Sequence, residues 1–474
     1  MRTTRVHAVQ WATEQLGGVD LDHVRRTRRL VQMASRVAEH PAGRVSEAIP
    51  SPKEQQGAYD WLENKQVEAS RFIVEVARAT AARCPLRRST PVVVDGSSLS
   101  IIDGTGTKGL GSVGTASKPT KGLKVISALA LDDRGIPLGA LAQTWWARPA
   151  RKRRRDAAKR EQVHKTPLEA KETRHWLTTI DQAAERLDER GLRGCFVIAR
   201  EGDAHPILTT LVDSGHDFIV RAHVDRIALD GAQVTRLRPL LGRAPIVGSY
   251  DLDVPARPKR TGRQAKMVMR SARVVLSLRN AATRRKIGVL PLQVVWVSEA
   301  GTTPVGEAPL DWLLFTNLPV DTYEQGREVV QGYAMRWRIE EVHRTWKAGG
   351  CDVESTQLRT AEAIIKWATL LFAVAIRVER LKHAARTEPR RAADTELTAS
   401  EIQALVLLKR REKKRTESIP DAPLDIATAV RWMADLGGYT GNSSGGPPGV
   451  TVIRRGFVRV RNAADALEQL GARR

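Results

Sequence analysis

The order of apolar and polar residues divides the chain into stretches of different period. Up to about residue 75 the pattern is helical. In Val24–His40 (VRRTRRLVQMASRVAEH), Leu30, Met33, Ala34 and Val37 recur at helical spacing, and a second helical stretch covers Gln55–Asn64. The period then shortens. PVVVDGSSLSI (Pro91–Ile101), GLKVISALAL (Gly122–Leu131) and PLGALAQTWW (Pro137–Trp146) read as strands, the last two joined by a turn at Asp132–Gly135. The glycine-rich stretch Gly104–Ser117 lacks the GxxxxGK(S/T) pattern of a phosphate-cradling loop and reads as a flexible loop. A charged stretch opening with RKRRR (Arg151–Arg155) leads into a helix. GCFVIAREGDAHPIL (Gly194–Leu208) follows, a buried strand, a polar turn and another helix. His216–Val320 is mostly strand-like, and from Gln325 the helical period returns until about Leu408. KRREKKR (Lys409–Arg415) reads as a solvated linker.

Composition narrows the partners. The 474 residues allow about three folding units. A net charge of +24 makes nucleic acid the first partner to consider and an anionic membrane surface the second. The longest apolar stretch, WATLLFAVAI (Trp367–Ile376), is shorter than the ~20 residues that span a bilayer. No secretory signal is visible in the first thirty residues. Cys84, Cys195 and Cys351 are too scattered for a disulfide framework or a CxxC zinc site, so a cytoplasmic setting is expected. Arg25, Arg26, Arg28 and Arg29 form a basic face that either contacts DNA or is simply solvated.

The segment YAMRWRIEEVHRTWK (Tyr333–Lys347) carries the most chemistry. On one uniform helix, with Tyr333 at zero, Arg336, Glu340 and Lys347 fall at about 300°, 340° and 320°. Met335, Ile339, Val342 and Trp346 form a separate apolar stripe. A carboxylate flanked by cations and a phenol suits a phosphodiester site; an ordinary surface helix with an Arg336–Glu340 pair fits the same spacing. Asp95, at the end of an apolar run, is the second candidate metal carboxylate, or else a turn cap for the GSS that follows.

These residues resemble a known family. YAMRWRIEEVHRTWK is similar to the Tyr-Arg-Glu-Lys signature of bacterial cut-and-paste DDE transposases of the insertion-sequence-four family, in its transposon-five-like branch. VVVDGSSLSI resembles the strand of the first catalytic aspartate, LAQTWWARP (Leu141–Pro149) the Trp-Trp-x-Arg-Pro segment, and GEAPLDWLLFTNLPV (Gly306–Val320) the strand before the signature. RRTRRL (Arg25–Leu30) and LGGY (Leu436–Tyr439) resemble N- and C-terminal segments, and all these blocks follow family order.

The resemblance implies an α/β fold, a ribonuclease-H-like catalytic core with a mostly β insertion, flanked by helical domains. The expected division is a DNA-binding domain over 1–75, the catalytic domain over 76–375 with its insertion at about 205–320, and a helical dimerisation domain over 376–474. Asp95 and Glu340 take the first and last positions of the catalytic triad and hold metal. Tyr333, Arg336 and Lys347 grip backbone phosphates, and Trp312 stacks a flipped base unless it is plain core. The implied cofactor is a pair of Mg²⁺ ions, with Mn²⁺ able to substitute. The implied partners are double-stranded DNA, as transposon ends and as target, and a second copy of the chain in a homodimer.

One departure is serious. The family's middle aspartate opens an Asp-Arg-Glu-x-Asp segment, and here the segment reads AREGD, with Ala199 at that position. Asp203 lies four residues on, about 6 Å away if helical, against a metal–oxygen bond of about 2.1 Å. An engineered substitution, or natural decay or domestication, accounts for Ala199 better than replacement by Asp203. The rival readings are an end-binding protein without catalysis and a structure-selective nuclease on the same fold.

Overall fold

A computed structural model describes residues 5–86, 89–114, 118–149, 167–230, 233–257, 260–279, 285–412, 419, 423–441 and 446–471. The Arg151–Arg155 run lies outside the described residues. Along the chain, helices α1 (Arg5–Leu16), α2 (Val24–Glu39), α3 (Val45–Ala48), α4 (Pro52–Glu63) and α5 (Ala69–Ala81) precede strands β1 (Thr90–Ser100), β2 (Gly111–Ser112), β3 (Lys121–Leu131) and β4 (Pro137–Trp146). Helix α6 (Thr173–Asp188), β5 (Gly194–Ile198), α7 (His205–Asp213) and β6 (Asp217–Arg221) follow in alternation. A strand-rich stretch comes next: β7 (Ile227–Asp230), β8 (Gln233–Arg236), helix α8 (Leu237–Arg243), β9 (Ile246–Val254), β10 (Arg263–Arg279), β11 (Lys286–Glu299) and β12 (Asp311–Thr316). The remainder is helical: α9 (Tyr323–Ala334), α10 (Trp337–Arg344), α11 (Ala361–Thr387), α12 (Ala399–Glu412), α13 (Ile426–Leu436) and α14 (Val450–Gly471). The fold is mixed α/β with helical flanks, and none of the described helices is long and apolar enough to cross a membrane.

Two compact units share this chain. One is drawn from Met1–Cys84, Gly96–Arg151 and Arg338–Arg474, the other from Pro85–Asp95 and Lys152–Trp337.

In the first unit, α2 buries Leu30, Met33, Ala34 and Val37, the residues its spacing selected. Pro52 opens α4, where its missing N–H costs nothing. The late helix α11 ties these early helices down. Lys366, almost fully buried, donates to the Leu62 and Asn64 carbonyls at 2.9 and 3.0 Å, and the Trp367 indole donates to Gly43 O at 2.7 Å. Strands β3 and β4 form the expected antiparallel hairpin. Asp132 Oδ1 accepts from the amides of Arg134 and Ile136, and Gly135 at φ 77° completes the turn. The glycine-rich stretch is more ordered than a plain loop, because Gly111 and Ser112 pair with β3. Leu405, Met433, Ile453 and Val460 are among the core residues of the C-terminal helices. Lys409, expected in a solvated linker, is instead buried in the last turn of α12, its ammonium 2.8 Å from Asp435, while Arg410, Arg411 and Glu412 after it are exposed.

The second unit is built on a sheet. The Thr90–Val94 part of β1 runs parallel to β5, and β5 runs parallel to β6. All five residues of β5 are buried, as befits a central parallel strand. Strand β6 pairs antiparallel with β12, and β12, β11 and β10 continue antiparallel. Strands β9 and β7 flank β10, and β8 pairs with β7. The strand-like reading of His216–Val320 is thus observed, interrupted by the short helix α8.

Candidate functional site

The sheet register places the first two candidate positions side by side. The β1–β5 pairing runs to Val94 opposite Ile198, so Asp95 and Ala199 are the next residues on neighbouring parallel strands, which lie about 4.8 Å apart. Strand β1 does not end at Asp95, as the sequence led one to expect, but continues to Ser100. The Asp95 carboxylate is 17% exposed, and Arg336 Nη1 approaches its Oδ2 at 3.3 Å. Ala199 leaves β5 and caps a single 3₁₀ turn, Arg200–Gly202. That turn closes tightly: a Cβ on Gly202 would stand 2.7 Å from Ile198 Cγ2.

Asp203 has another task. Its fully buried side chain accepts from the amides of His223 and Val224 at 2.6 and 3.2 Å and pairs with Arg226. It fastens the loop after β6, so it is not a spare ligand for the position of Ala199.

The signature segment is not one uniform helix. Helix α9 stops at Ala334, and Arg336 N reaches back only three residues, to Tyr333 O at 3.0 Å. Helix α10 follows, and then Thr345–Gly349 forms a π-turn, with the amides of Gly350 and Cys351 both converging on Thr345 O. The tightened turn and the widened one each shift the angular phase, so positions computed at 100° per residue do not hold across the segment. Ile339, Val342 and Trp346 are buried as the stripe required. Tyr333, expected on the polar face, is buried too, its ring edge-on to Trp312 at 5.1 Å.

Asp95, Ala199, Trp312, Tyr333 and Arg336 belong to the sheet unit, Glu340 and Lys347 to the helical one. Glu340 is half-buried in the first turn of α10. Lys347 Nζ lies 3.8 Å from Glu354, whose carboxylate accepts from Ser100 N at 2.7 Å. Trp312 is half-buried on β12, opposite Val297, with the Arg221 guanidinium 6.0 Å from its ring. Of the N-terminal arginines, Arg25 and Arg28 are exposed. Arg26 is tied to Leu21 O and Gln66, and Arg29 bonds Gln32 at 3.0 Å while covering Gly57.

Sequence reasoning missed a buried network one residue beyond Glu340. Glu341 accepts from the Lys382 ammonium at 3.0 Å and lies 2.9 Å from His383 Nε2. Lys382 also bonds Glu379, whose other oxygen pairs with the Thr345 hydroxyl. Burial opposes the charge on Glu341, but the hydrogen bond from His383 and the charge of Lys382 prevail and hold its carboxyl far below the usual carboxylate range. The available signal was the i,i+4 spacing of Glu379 and His383 on α11, which distance along the chain separates from Glu341.

A basic chain that sets an acid beside an arginine at the edge of paired parallel strands is equipped to handle phosphodiesters. Residues 96–377, well over half of the chain, match the transposase DDE domain, and residues 8–67 match a transposase DNA-binding domain. The chain belongs to the DDE transposases, and is a DNA transposase whose partner is DNA. The DDE match starts one residue after Asp95 and takes in Ala199 and Glu340.

DDE domains work with divalent cations held by carboxylates. Asp95 and Ala199 do not fit that group as they stand, because position 199 offers a methyl group where a second carboxylate is needed. Ligand atoms of Glu341, Glu379 and His383 do lie within 4.8 Å of one another. The Lys382 ammonium contacts both of these carboxylates and Arg338 also pairs with Glu341 at 3.2 Å, so two cations already answer the two acids without an ion.

Proposed function

We propose that this chain is a transposon-five-like transposase of the insertion-sequence-four family that binds and pairs transposon ends as a homodimer but does not cut them. Its cut-and-paste cycle is arrested at Ala199. The observation that carries the reading is the register of β1 and β5, which sets Asp95 beside position 199 and leaves that position without an oxygen. The proposed domains are a DNA-binding region over 1–75, a ribonuclease-H-like catalytic domain over 76–375 with a β insertion at about 205–320, and a dimerisation domain over 376–474. A strand hairpin (β3–β4) followed by parallel strands alternating with helices (β5–α7–β6) supports the core assignment. In this reading Tyr333, Arg336 and Lys347 hold backbone phosphates, Glu340 completes the acidic set, and the protein acts in the cytoplasm on nucleoid DNA.

The test is gel-resolved cleavage of labelled end DNA in Mg²⁺ and in Mn²⁺, by this chain and by Ala199→Asp. End-binding without nicking is expected of the chain as given, and Mg²⁺-dependent nicking of the variant. Robust cutting by the unaltered chain would overturn the proposal. Ala199 also favours a second reading, a dedicated end-binding inhibitor; its mark would be an Ala199→Asp variant that binds ends and still cuts nothing.

A further inference from the structure

The helical unit contains a cavity of about 320 Å³. Trp11, Arg83, Leu138, Ala373, Arg377 and Arg380 line it, while Glu14 and Asp394 on its rim are exposed. At roughly 30 Å³ per water, the space exceeds what a single ordered water fills.

Three arginines and three acids, Glu14, Asp394 and Glu396, line the cavity, but the contacts between them are unevenly shared. Glu396 accepts from Arg380 at 3.0 Å and also pairs with Arg391 at 3.1 Å. Glu401 is taken by Arg461 at 2.6 Å. Arg83 spends its bonds on neutral oxygens: Leu138 O, Gln15 and Thr80. Arg377 stacks near the Trp11 ring at 5.4 Å, and its Nη1 is buried with no hydrogen-bond partner among the described residues. A donor shut away from water without an acceptor is costly, and more so when it carries charge. Burial pushes the Arg83 guanidinium down to about 10, with the charge of Arg380 adding to the effect. Burial likewise pushes Arg377 down to about 10, aided by Arg461. An entering anion supplies the acceptor that Nη1 lacks.

We propose that this cavity binds a phosphate-type oxyanion, held by Arg377 with Arg83 and Arg380 beside it. The anion is either a free phosphate or a phosphodiester of bound DNA. A planar guanidinium fork matches two oxygens of either group. The site is independent of the strand ends and of Ala199.

Thermal unfolding of the full chain tests this, with chloride replaced by inorganic phosphate at fixed ionic strength. A Tm that rises with phosphate is expected. Arg377→Met should weaken the midpoint of that response at least tenfold. Should Arg377→Met fail to fold, Ala373→Met decides, because it fills the cavity from α11 and leaves every charge in place. The source is separated by titrating a short duplex at several salt concentrations. A backbone phosphate in the cavity predicts that Arg377→Met flattens the slope of log affinity on log salt by about 0.9. A free phosphate predicts an unchanged slope with the thermal response lost. No response to phosphate, or an equal response in the parent and both variants, would overturn the proposal.

Discussion

Two acidic clusters stand on opposite sides of the Trp337/Arg338 division, and they are built on opposite principles. The network of Glu341, Glu379, Lys382 and His383 is buried, and its carboxylates are answered by an ammonium, an imidazole and a hydroxyl. Asp95, by contrast, is paired with Arg336 and is next in register to Ala199, which offers no oxygen. The buried cluster joins two helices, and an ion entering it would compete with the Lys382 ion pairs. A partly exposed acid beside an arginine, where two parallel strands stop pairing, is where a phosphodiester can be met, so Asp95 is the better candidate for chemistry.

Removing one acid from each cluster should separate the two roles. In an Ala199→Asp background, Asp95→Ala should abolish nicking while changing unfolding free energy by no more than about 1 kcal/mol. A large loss of stability would make Asp95 a structural residue. Glu379→Ala should do the reverse and cost about 3–5 kcal/mol, because it breaks a buried ion pair, leaving the Lys382 ammonium with Glu341 alone, and removes the acceptor of the Thr345 hydroxyl. Urea unfolding measures both.

His343, buried between Trp346 and Phe372, sharpens the contrast through pH. Burial, with the charge of Lys347 adding, pushes its imidazole from 6.5 down to about 3. Between those values the unfolded chain binds a proton that the native state refuses, so stability is full above 6.5 and falls as pH falls towards 3. The loss is roughly 3–5 kcal/mol across that window. His343→Phe keeps a ring in place and should flatten this part of the pH profile; an unchanged slope would assign acid sensitivity elsewhere.

Smaller effects are expected where DNA is touched. If excision passes through a hairpin at the cut end, the step that needs a flipped base, Trp312→Ala in the Ala199→Asp background should slow that step about tenfold to a hundredfold more than the first nick, the worth of one base stack. Equal slowing of both would make the tryptophan core. Arg25→Gln and Arg28→Gln, at the exposed positions, should each reduce the salt slope of end-binding by about 0.9, whereas Arg26→Gln, already bonded within the domain, should cost stability instead.

The sequence was most legible where a local period decides structure. Leu30, Met33, Ala34 and Val37 announced the buried face of α2, and Asp132–Gly135 announced the β3–β4 turn. The strand-end pair was half legible: Asp95 stood out as an acid closing an apolar run, but its place beside residue 199 depends on a register between strands about a hundred positions apart. Reading Tyr333–Lys347 as one helix failed for a physical reason. A tightened turn at Arg336 and a π-turn at Thr345 redistribute angles that sequence spacing assumes are uniform. Lys409 deceived in another way, since a run of charges looks solvated until Asp435 comes to meet it.

The discontinuous helical unit has a consequence for synthesis. Its early helices are fastened by Lys366 and Trp367, about three hundred residues downstream. While the ribosome works through that interval, the Leu62 and Asn64 carbonyls lack their ammonium and Gly43 lacks its indole. The segment carrying the sheet, Lys152–Trp337, emerges whole before that happens. The DNA-binding helices are therefore made well before they are locked, and the nascent chain completes these bonds only once residues 366 and 367 have emerged.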